Sequence, residues 1–334
     1  MAVVLPVATA DPLTRALVDH FQRGFPLVSR PYHEIALQLA CDEETVLETL
    51  GRLAASGALS RVGAVVRPHA AGASTLAAVA APVAEVERIA AIISGFAGVN
   101  HNYEREHRYN LWFVITGRSE ADVSATLTAI ELATGLPVLD LPLEQSYHID
   151  LGFALFGERI RRPLPASTTA RADESERRIL GAIENGLPLV SRPYADIAVR
   201  LGMTEQALIA RLDRMIACGI ISRFGVVVRH RAFGFSANAM AVWDIADGEV
   251  DSVAASFARE AGVTLCYRRP RRLPHWRYNL FTMIHGTERA TAEATIARLA
   301  DRAGAALAAC ETLFSTRCFK QRGAVFSQAQ GDAA

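Results

Sequence analysis

The sequence consists of one unit written twice, and this repeat restricts the fold more than any other feature. Three blocks recur in the same order: GFPLVSRPY at 24–32 and GLPLVSRPY at 186–194, SRVG at 60–63 and SRFG at 222–225, and RYNL at 108–111 and 277–280. The last pair has a slightly larger offset because extra residues fall mostly between Pro270 and His275. Internal similarity of this kind predicts a tandem duplication of one two-part unit.

Each copy opens with three helical patterns and a short apolar segment. In the first copy the helices are predicted over Leu13–Phe21, from Pro31 onward and over Asp42–Ser56. Proline suits a first helical position, aspartate is a favoured N-cap, and Gly57 ends the third helix. The segment Leu59–Arg67 is interpreted as a hairpin, with Gly63 near its turn. Three helices and a hairpin predict a winged helix-turn-helix.

The second part of each copy alternates strands and helices. In the first copy strands are predicted over 75–81, 99–103, 109–116 and 137–149, and helices over 83–94 and 119–132. This βαββαβ order is typical of a ferredoxin-like sandwich. The fold class is therefore α+β, a tandem duplication of a winged helix-turn-helix followed by a ferredoxin-like domain. The predicted boundaries are helix-turn-helix domains at 10–68 and 173–230, ferredoxin-like domains at 74–157 and 236–327, and a linker at 158–172.

Charge and cysteine usage argue against several classes of protein. Lys plus Arg equals Asp plus Glu at 35 each, and such a balance disfavours nucleic-acid binding by bulk charge. The five cysteines are odd in number and no pair has CxxC spacing, which disfavours a disulfide framework or a zinc site and fits a reducing cytoplasm. No apolar run reaches the ~18 residues of a membrane span, and the N-terminus lacks the basic region of a signal peptide. We expect a cytoplasmic protein without membrane contact.

The predicted third helices also make DNA an improbable partner. The first carries four acidic residues against one arginine: Asp42, Glu43, Glu44 and Glu48 against Arg52. The second is neutral, with Glu205 and Asp213 against Arg211 and Arg214. A recognition helix needs positive charge near phosphates. Both helix-turn-helix parts are therefore interpreted as scaffold.

The segment 101–113, HNYEREHRYNLWF, has the densest polar chemistry in the chain. The second copy keeps CYRR at 266–269 and RYNLF at 277–281, but it has lost both histidines. By alignment Leu265 replaces His101 and Trp276 falls near His107. Residues needed only for folding would survive in both copies more often, so the histidines are predicted to be functional. Exposed loop histidines are the alternative.

Other polar residues are weighed against plainer roles. Tyr103 aligns with Tyr267 and Arg105 with Arg269, which fits a two-sided clamp for a polyacid, although strand-end salt bridges are the alternative. Arg268 is expected to anchor carboxylates together with Arg105 and Arg269. Tyr109, Asn110 and Tyr278 are further binding candidates, with closure of a strand pair as the alternative. The wing residues Arg61 and Arg229 could line the rim of the substrate cleft or be solvated. His275 is interpreted as a surface residue, and the spacing of His101, His107 and a cysteine does not fit a metal site.

Two family resemblances follow from these blocks. A winged helix-turn-helix followed by βαββαβ resembles the Lrp/AsnC transcription regulators over each half. The blocks at 24–32, 101–113 and 266–270 more specifically resemble the siroheme decarboxylases, whose two subunits would here be fused. That resemblance implies removal of carbon dioxide from the two acetate side chains of siroheme, at C12 and C18. The product would be 12,18-didecarboxysiroheme, on the way to heme d1 or heme.

The implied reaction needs proton donors and carboxylate anchors. Protonation of a ring carbon provides the electron sink for decarboxylation, and histidine titrates in the useful range. Siroheme carries eight carboxylates, and arginine binds carboxylates bidentately. The resemblance thus implies His101 and His107 as catalytic residues, with His101 also a candidate axial contact to the substrate iron. No separate cofactor or protein-bound metal is expected.

The expected partners are siroheme and an internal pseudo-dimer of the two halves. A further homodimer and contacts with other heme d1 pathway proteins are left open. The alternative function is a ligand-sensing, heme-responsive regulator of the Lrp/AsnC type. A heme-binding partner without activity would leave the arginines less explained.

Overall fold

A computed structural model describes residues 10–149, 152, 155–156 and 169–324. The chain forms two compact units that do not follow the linear order of the four predicted domains. The described residues of 1–72, 152–234 and 323–334 form a helix-turn-helix unit, and those of 73–151 and 235–322 form a sheet unit. Most of the predicted linker, 158–168, lies outside the described residues.

The helix-turn-helix unit contains both copies of the three-helix pattern. Its elements are α1 (Pro12–His20), α2 (Pro31–Gln38), α3 (Glu43–Ala55), β1 (Leu59–Val66), α6 (Glu174–Ala182), α7 (Pro193–Arg200), α8 (Glu205–Ala217) and β7 (Ile221–Val228). Asp42 is confirmed as the N-cap of α3, because its Oδ1 accepts a 2.7 Å hydrogen bond from the Thr45 backbone nitrogen. Proline opens α2 and α7 at their first turns.

The predicted wing hairpin is wrong. Segment 59–66 is one uninterrupted strand, β1, which pairs antiparallel with β7 from the other copy, and Gly63 lies opposite Gly225. Each strand therefore pairs with the strand of the other copy instead of folding back on itself. Each strand of this pair also makes a backbone hydrogen bond outside it. Val226 N donates to the Phe21 carbonyl and Leu187 N donates to the Val62 carbonyl, both at 2.7 Å.

The arginines at the ends of these strands join the two copies. Arg67 Nε donates to the Gly219 carbonyl at 3.0 Å, and Arg229 Nη1 donates to the Gly57 carbonyl at 2.8 Å. Gly57 and Gly219 lie just beyond α3 and α8, which end at Ala55 and Ala217. Each arginine thus binds the turn that follows the third helix of the opposite copy.

Replacement of Arg229 by methionine tests whether this arginine stabilises the fold or binds substrate. We expect a loss of about 1.5–3 kcal/mol in the free energy of unfolding, because the charged donor to the Gly57 carbonyl is removed. Thermal unfolding of Arg229→Met beside the parent chain measures it. A parent-like stability combined with weaker ligand binding would instead support the binding role predicted from sequence.

The sheet unit contains the other strands and α-helices of the described residues. Its elements are β2 (Ala73–Val79), α4 (Val86–Gly95), β3 (Val99–Arg105), β4 (Leu111–Gly117), α5 (Glu120–Thr134), β5 (Leu139–Pro142), β6 (Gln145–Ile149), β8 (Ala237–Ile245), α9 (Val250–Phe257), β9 (Val263–Arg268), β10 (Leu280–Gly286), α10 (Arg289–Ala303) and β11 (Leu307–Gln321). Ser119 caps α5 as predicted, with a reciprocal bond to Asp122.

The two βαββαβ segments exchange their last strands. The sheet order is β5-β2-β4-β3-β11-β8-β10-β9-β6. The predicted strand 137–149 is divided: β5 stays beside β2, whereas β6 pairs with β9 of the second copy. The 15-residue β11 pairs with β8 through its first half and with β3 through its second half. The two copies therefore form one continuous nine-stranded sheet.

Three apolar clusters hold the sheet unit together. One lies between α4, α5 and the first copy's strands, and a second lies between α9, α10 and the second copy's strands. The third lies on the opposite face of the sheet and contains residues of both copies. We call it the central cluster, and its members are Ala78, Tyr109, Trp112, Leu139, Leu141, Met240, Val242, Trp276, Tyr278, Phe281 and Leu313. Within the part of the chain that the structure describes, no helix is long and apolar enough to cross a membrane.

Candidate active site

The first-copy motif places three polar side chains on the face of the central cluster. In the β3–β4 register His101 lies opposite Val114 and Tyr103 lies opposite Trp112, whereas Asn102 lies opposite Phe113 on the helix-covered face. Directly paired residues of antiparallel strands share a face. Arg105 follows two residues after Tyr103 and returns to that face.

His101 has a defined hydrogen-bond partner at one ring nitrogen. Its Nδ1 lies 2.7 Å from Asn100 Oδ1, and Asn100 Nδ2 donates to Thr116 Oγ1 at 3.4 Å, which orients the amide. The Asn100 oxygen can only accept, so His101 Nδ1 carries a proton. The ring stacks on Tyr103 with centroids 6.2 Å apart. This environment suits either the imidazolium or the neutral Nδ1–H form, and the two differ only at Nε2.

Arg105 and Arg269 occupy matching positions in the two copies. Arg105 Nη1 donates to the Leu313 carbonyl at 3.0 Å, and Arg269 Nη1 donates to the Leu141 carbonyl. Leu141 and Leu313 are equivalent positions of β5 and β11. Each guanidinium lies over the tyrosine two residues earlier, at 5.8 Å from the Tyr103 ring and 5.4 Å from the Tyr267 ring.

Both arginines are shielded from solvent: Arg105 is buried, at 7% exposure, and Arg269 is half-buried. Desolvation lowers the pKa of Arg269 to about 10, partly offset by the charges of Tyr267 and Asp140. The neighbouring Tyr267 has its pKa raised, chiefly by burial. Both side chains nevertheless retain accessible surface. Among the described residues no carboxylate is bonded to Arg269, and a desolvated cation of this kind favours binding of an anion.

His107 lies in the loop between β3 and β4, and both of its ring nitrogens are engaged. Nδ1 accepts a 3.0 Å bond from the Tyr109 backbone nitrogen, and Nε2 lies 2.8 Å from Glu311 Oε2. The ring stacks on Tyr109 at 6.0 Å and meets Trp276 edge-on at 5.6 Å. Glu311 was missed by sequence reasoning, because its distance along the chain from the motif hides the contact that β11 brings about.

The side chains of three further predicted residues form hydrogen bonds or ion pairs within the protein. The Asn110 amide accepts from Ala81 N and donates to Ala81 O, both at 2.9 Å, and thereby closes the end of a strand pair. Arg268 Nε forms a 3.1 Å ion pair with Glu144. Tyr278 donates its hydroxyl to Glu311 Oε1 at 2.5 Å. Their predicted roles in substrate binding stay predictions.

The remaining candidates lie elsewhere or are exposed. Arg61 and Arg229 belong to the helix-turn-helix unit, where they donate to the carbonyls of Ala64 and Gly57. His275 is exposed, as predicted. Among residues 10–149 and 169–324, no group of three or more His, Cys, Asp or Glu side chains is arranged to hold a metal ion.

Family models and relatives match the whole architecture. A model described as an AsnC-like ligand binding domain matches residues 71–148 and 232–320, and a model described as a siroheme decarboxylase NirDL-like HTH domain matches 14–59 and 176–221. The chain is 41% identical over 326 residues to the siroheme decarboxylase NirDL subunit of Paracoccus pantotrophus, which covers 96% of this chain and 99% of that relative. The siroheme decarboxylase NirD subunit of Pseudomonas aeruginosa is 52% identical over 149 residues, covering 45% of this chain and 99% of its own length.

A solved structure supports the same assignment. The crystal structure of the siroheme decarboxylase NirDL in co-complex with an iron-uroporphyrin III analogue superposes with a TM-score of 0.66 and 28% identity, covering 92% of each chain. The regulator alternative is not retained, because full-length relatives are named siroheme decarboxylases and the helix-turn-helix segments match the decarboxylase version of that domain. This chain belongs to the siroheme decarboxylase family and corresponds to its fused NirDL form.

Proposed function

We propose that this chain removes carbon dioxide from the two acetate side chains of siroheme. Each step converts a ring-bound CH2–COO⁻ group and one proton into a methyl group and carbon dioxide, so a proton donor is required and no electrons are exchanged. The observation that carries the proposal is the placement of His101, Tyr103 and Arg105 on the same sheet face as the central cluster. Tyr267 and Arg269 repeat the anchoring pair in the second copy.

The two histidines have different roles in this proposal. His101 keeps Nδ1–H on Asn100 in both protonation states, so Nε2 can gain and release a proton without breaking that bond. His107 accepts a backbone hydrogen bond at Nδ1, and protonation there would break it. We therefore assign proton donation to His101 and orientation of the β3–β4 loop to His107. An axial contact of His101 Nε2 with the substrate iron would compete with proton donation at the same atom.

Both histidines have non-titratable counterparts, Leu265 and Trp276, so the proposal contains one proton-transfer centre. The two acetates of siroheme then react at the same centre, one after the other. No cofactor beyond the substrate is invoked, since ring protonation supplies the electron sink. Assembly beyond the internal pairing of the two copies, contacts with other heme d1 pathway proteins and a cytoplasmic location belong to the same proposal.

The direct test is anaerobic incubation of the purified chain with siroheme, followed by mass spectrometry of the tetrapyrrole. Two successive losses of carbon dioxide are expected from the chain alone. Siroheme that binds, as seen by a shifted absorption band, but stays intact over many hours would contradict the proposal that the fused chain is sufficient.

Arg269→Met is expected to weaken siroheme binding by roughly 10–100-fold, since a charge-assisted bond to a carboxylate is worth about 1.5–3 kcal/mol. The matched control is Arg298→Met, on α10 of the same copy. Arg298 is exposed and already pairs with Glu260 at 3.0 Å, so we expect a binding change below about twofold.

Titration of the siroheme absorption band measures both dissociation constants. If both variants lose the same amount of affinity for siroheme, the proposal that Arg269 anchors a carboxylate is wrong. Thermal unfolding of both variants separates binding from stability, because Arg269 also donates to the Leu141 carbonyl.

A further inference from the structure

Glu311 connects the second copy to the first-copy motif. It lies on β11, opposite Val242 of β8, and its Oε2 lies 2.8 Å from His107 Nε2. Its other oxygen accepts the 2.5 Å bond from the Tyr278 hydroxyl. The side chain of His107 is 16% exposed and that of Glu311 is 46% exposed. The carboxylate therefore contacts both a histidine of the first copy and a tyrosine of the second.

The hydrogen bonds at His107 determine which tautomer is present. A backbone N–H can only donate, so the bond from Tyr109 N requires an unprotonated Nδ1. The neutral ring then carries its proton on Nε2, and that N–H points at the Glu311 carboxylate. A carboxylate at the second nitrogen is a common means of fixing both the tautomer and the ring orientation of a histidine.

The corresponding positions in the other copy do not form a histidine–carboxylate pair. The sheet registers place Leu139 opposite Ala78 and Glu311 opposite Val242, which makes Leu139 the counterpart of Glu311. Trp276 is the counterpart of His107, and Tyr109 is that of Tyr278. Leu139, Trp276 and Tyr109 all belong to the central cluster. The histidine–carboxylate–tyrosine arrangement is therefore formed once, from residues of both copies.

Other neighbours cannot replace Glu311 in orienting the ring. The buried Nε1 of Trp276 has no hydrogen-bond partner among the described residues, so its contact with His107 is an edge-on ring contact without directional bonding. Glu106, the residue before His107, is committed to Arg289 at 2.9 Å. Within the described part of the chain, Glu311 is the one carboxylate that forms an ion pair with His107.

We propose that Glu311 is a positioning residue for siroheme decarboxylation, which holds His107 as the Nε2–H tautomer and thereby fixes the conformation of the β3–β4 loop. This inference rests on the proposed function for its effect on rate. Its effect on the imidazole is independent of siroheme. The second copy thus supplies a group that the motif of the first copy needs.

The test combines Glu311→Leu and Glu311→Gln with two readouts on the full chain. Long-range ¹⁵N–¹H spectra of histidine-labelled protein, with the His107 signals identified by their loss in His107→Phe, report which ring nitrogen is protonated. We expect the Nε2–H pattern in the parent chain and a mixed or exchanging pattern in Glu311→Leu. Glu311→Gln keeps an oxygen acceptor and should retain the parent pattern in part.

The kinetic readout separates positioning from binding. We expect kcat of Glu311→Leu to fall by roughly 10–100-fold, as for loss of a partner that orients a histidine, with KM for siroheme within about twofold. Glu106→Gln is the matched control, because it removes a neighbouring carboxylate that does not touch His107. It should leave both the tautomer and kcat unchanged.

Several outcomes would overturn the inference. Unchanged ¹⁵N signals in Glu311→Leu would do so, with or without a fall in kcat, because the carboxylate would then not set the tautomer. A changed tautomer with parent-like kcat would remove the link to catalysis. A parent chain that leaves siroheme intact would contradict the proposed function, whereas the ¹⁵N comparison would still decide whether Glu311 orients His107.

Discussion

His101→Ala is expected to lower the rate of siroheme decarboxylation by roughly 10²–10⁴-fold, the usual contribution of a positioned general acid. The reason is the geometry at Nδ1, where the bond to Asn100 persists whether or not Nε2 is protonated. Binding should change much less, because carboxylate anchoring is assigned to Arg105 and Arg269. Single-turnover rates measured anaerobically at saturating chain concentration isolate the chemical step.

Two variants define the specificity of that result. His275→Ala removes an exposed histidine of the second copy and should leave the rate unchanged. His107→Ala should also lower the decarboxylation rate, with little change in the free energy of unfolding. Its loss of rate should be smaller than that of His101→Ala, because the proposed proton donor stays in place. If His101→Ala turns over siroheme at the parent rate, the assignment of the acid fails.

Gly225→Ala is expected to be the most destabilising single-methyl change in the helix-turn-helix unit. A Cβ at this position would lie 2.2 Å from the Phe21 carbonyl oxygen and 2.7 Å from that of Gln22. The clash is with backbone, and Val226 N bonds the same Phe21 carbonyl, so the strand cannot move away without losing that bond. We expect a loss of about 3 kcal/mol or more.

Gly51→Ala is the matched control in the same unit. Gly51 lies inside α3, and outside its own helical turns no atom comes within 4 Å of the added methyl group. Alanine there should stabilise the unit by about 0.5–1 kcal/mol. Amide exchange in β1 and β7 reports the unit directly, whereas all three tryptophans lie in the sheet unit and report on that unit. Equal exchange protection in the two variants would contradict the close approach at Gly225.

The sequence alone predicted much of the local structure because local structure depends on neighbouring residues. Asp42 and Ser119 cap helices where their side chains can reach the first free backbone nitrogens. The duplication, the βαββαβ order and the family all follow from the repeated blocks. The loss of His101 and His107 from the second copy indicated that the motif of the first copy has a functional role.

Tertiary structure decided which copy completes each element, because strand pairing links residues that are distant in sequence. An apolar segment such as 59–66 has the same pattern whether it turns back on itself or pairs with β7. The long β11 carries Glu311 to His107, and no local signal marks that contact. The sequence by itself determined the parts, the family and the candidate acids. Strand pairing between the copies determined that the arginines at the ends of β1 and β7 bind the turns after the third helices of the opposite copies. It also determined that the carboxylate beside His107 comes from the opposite half of the chain.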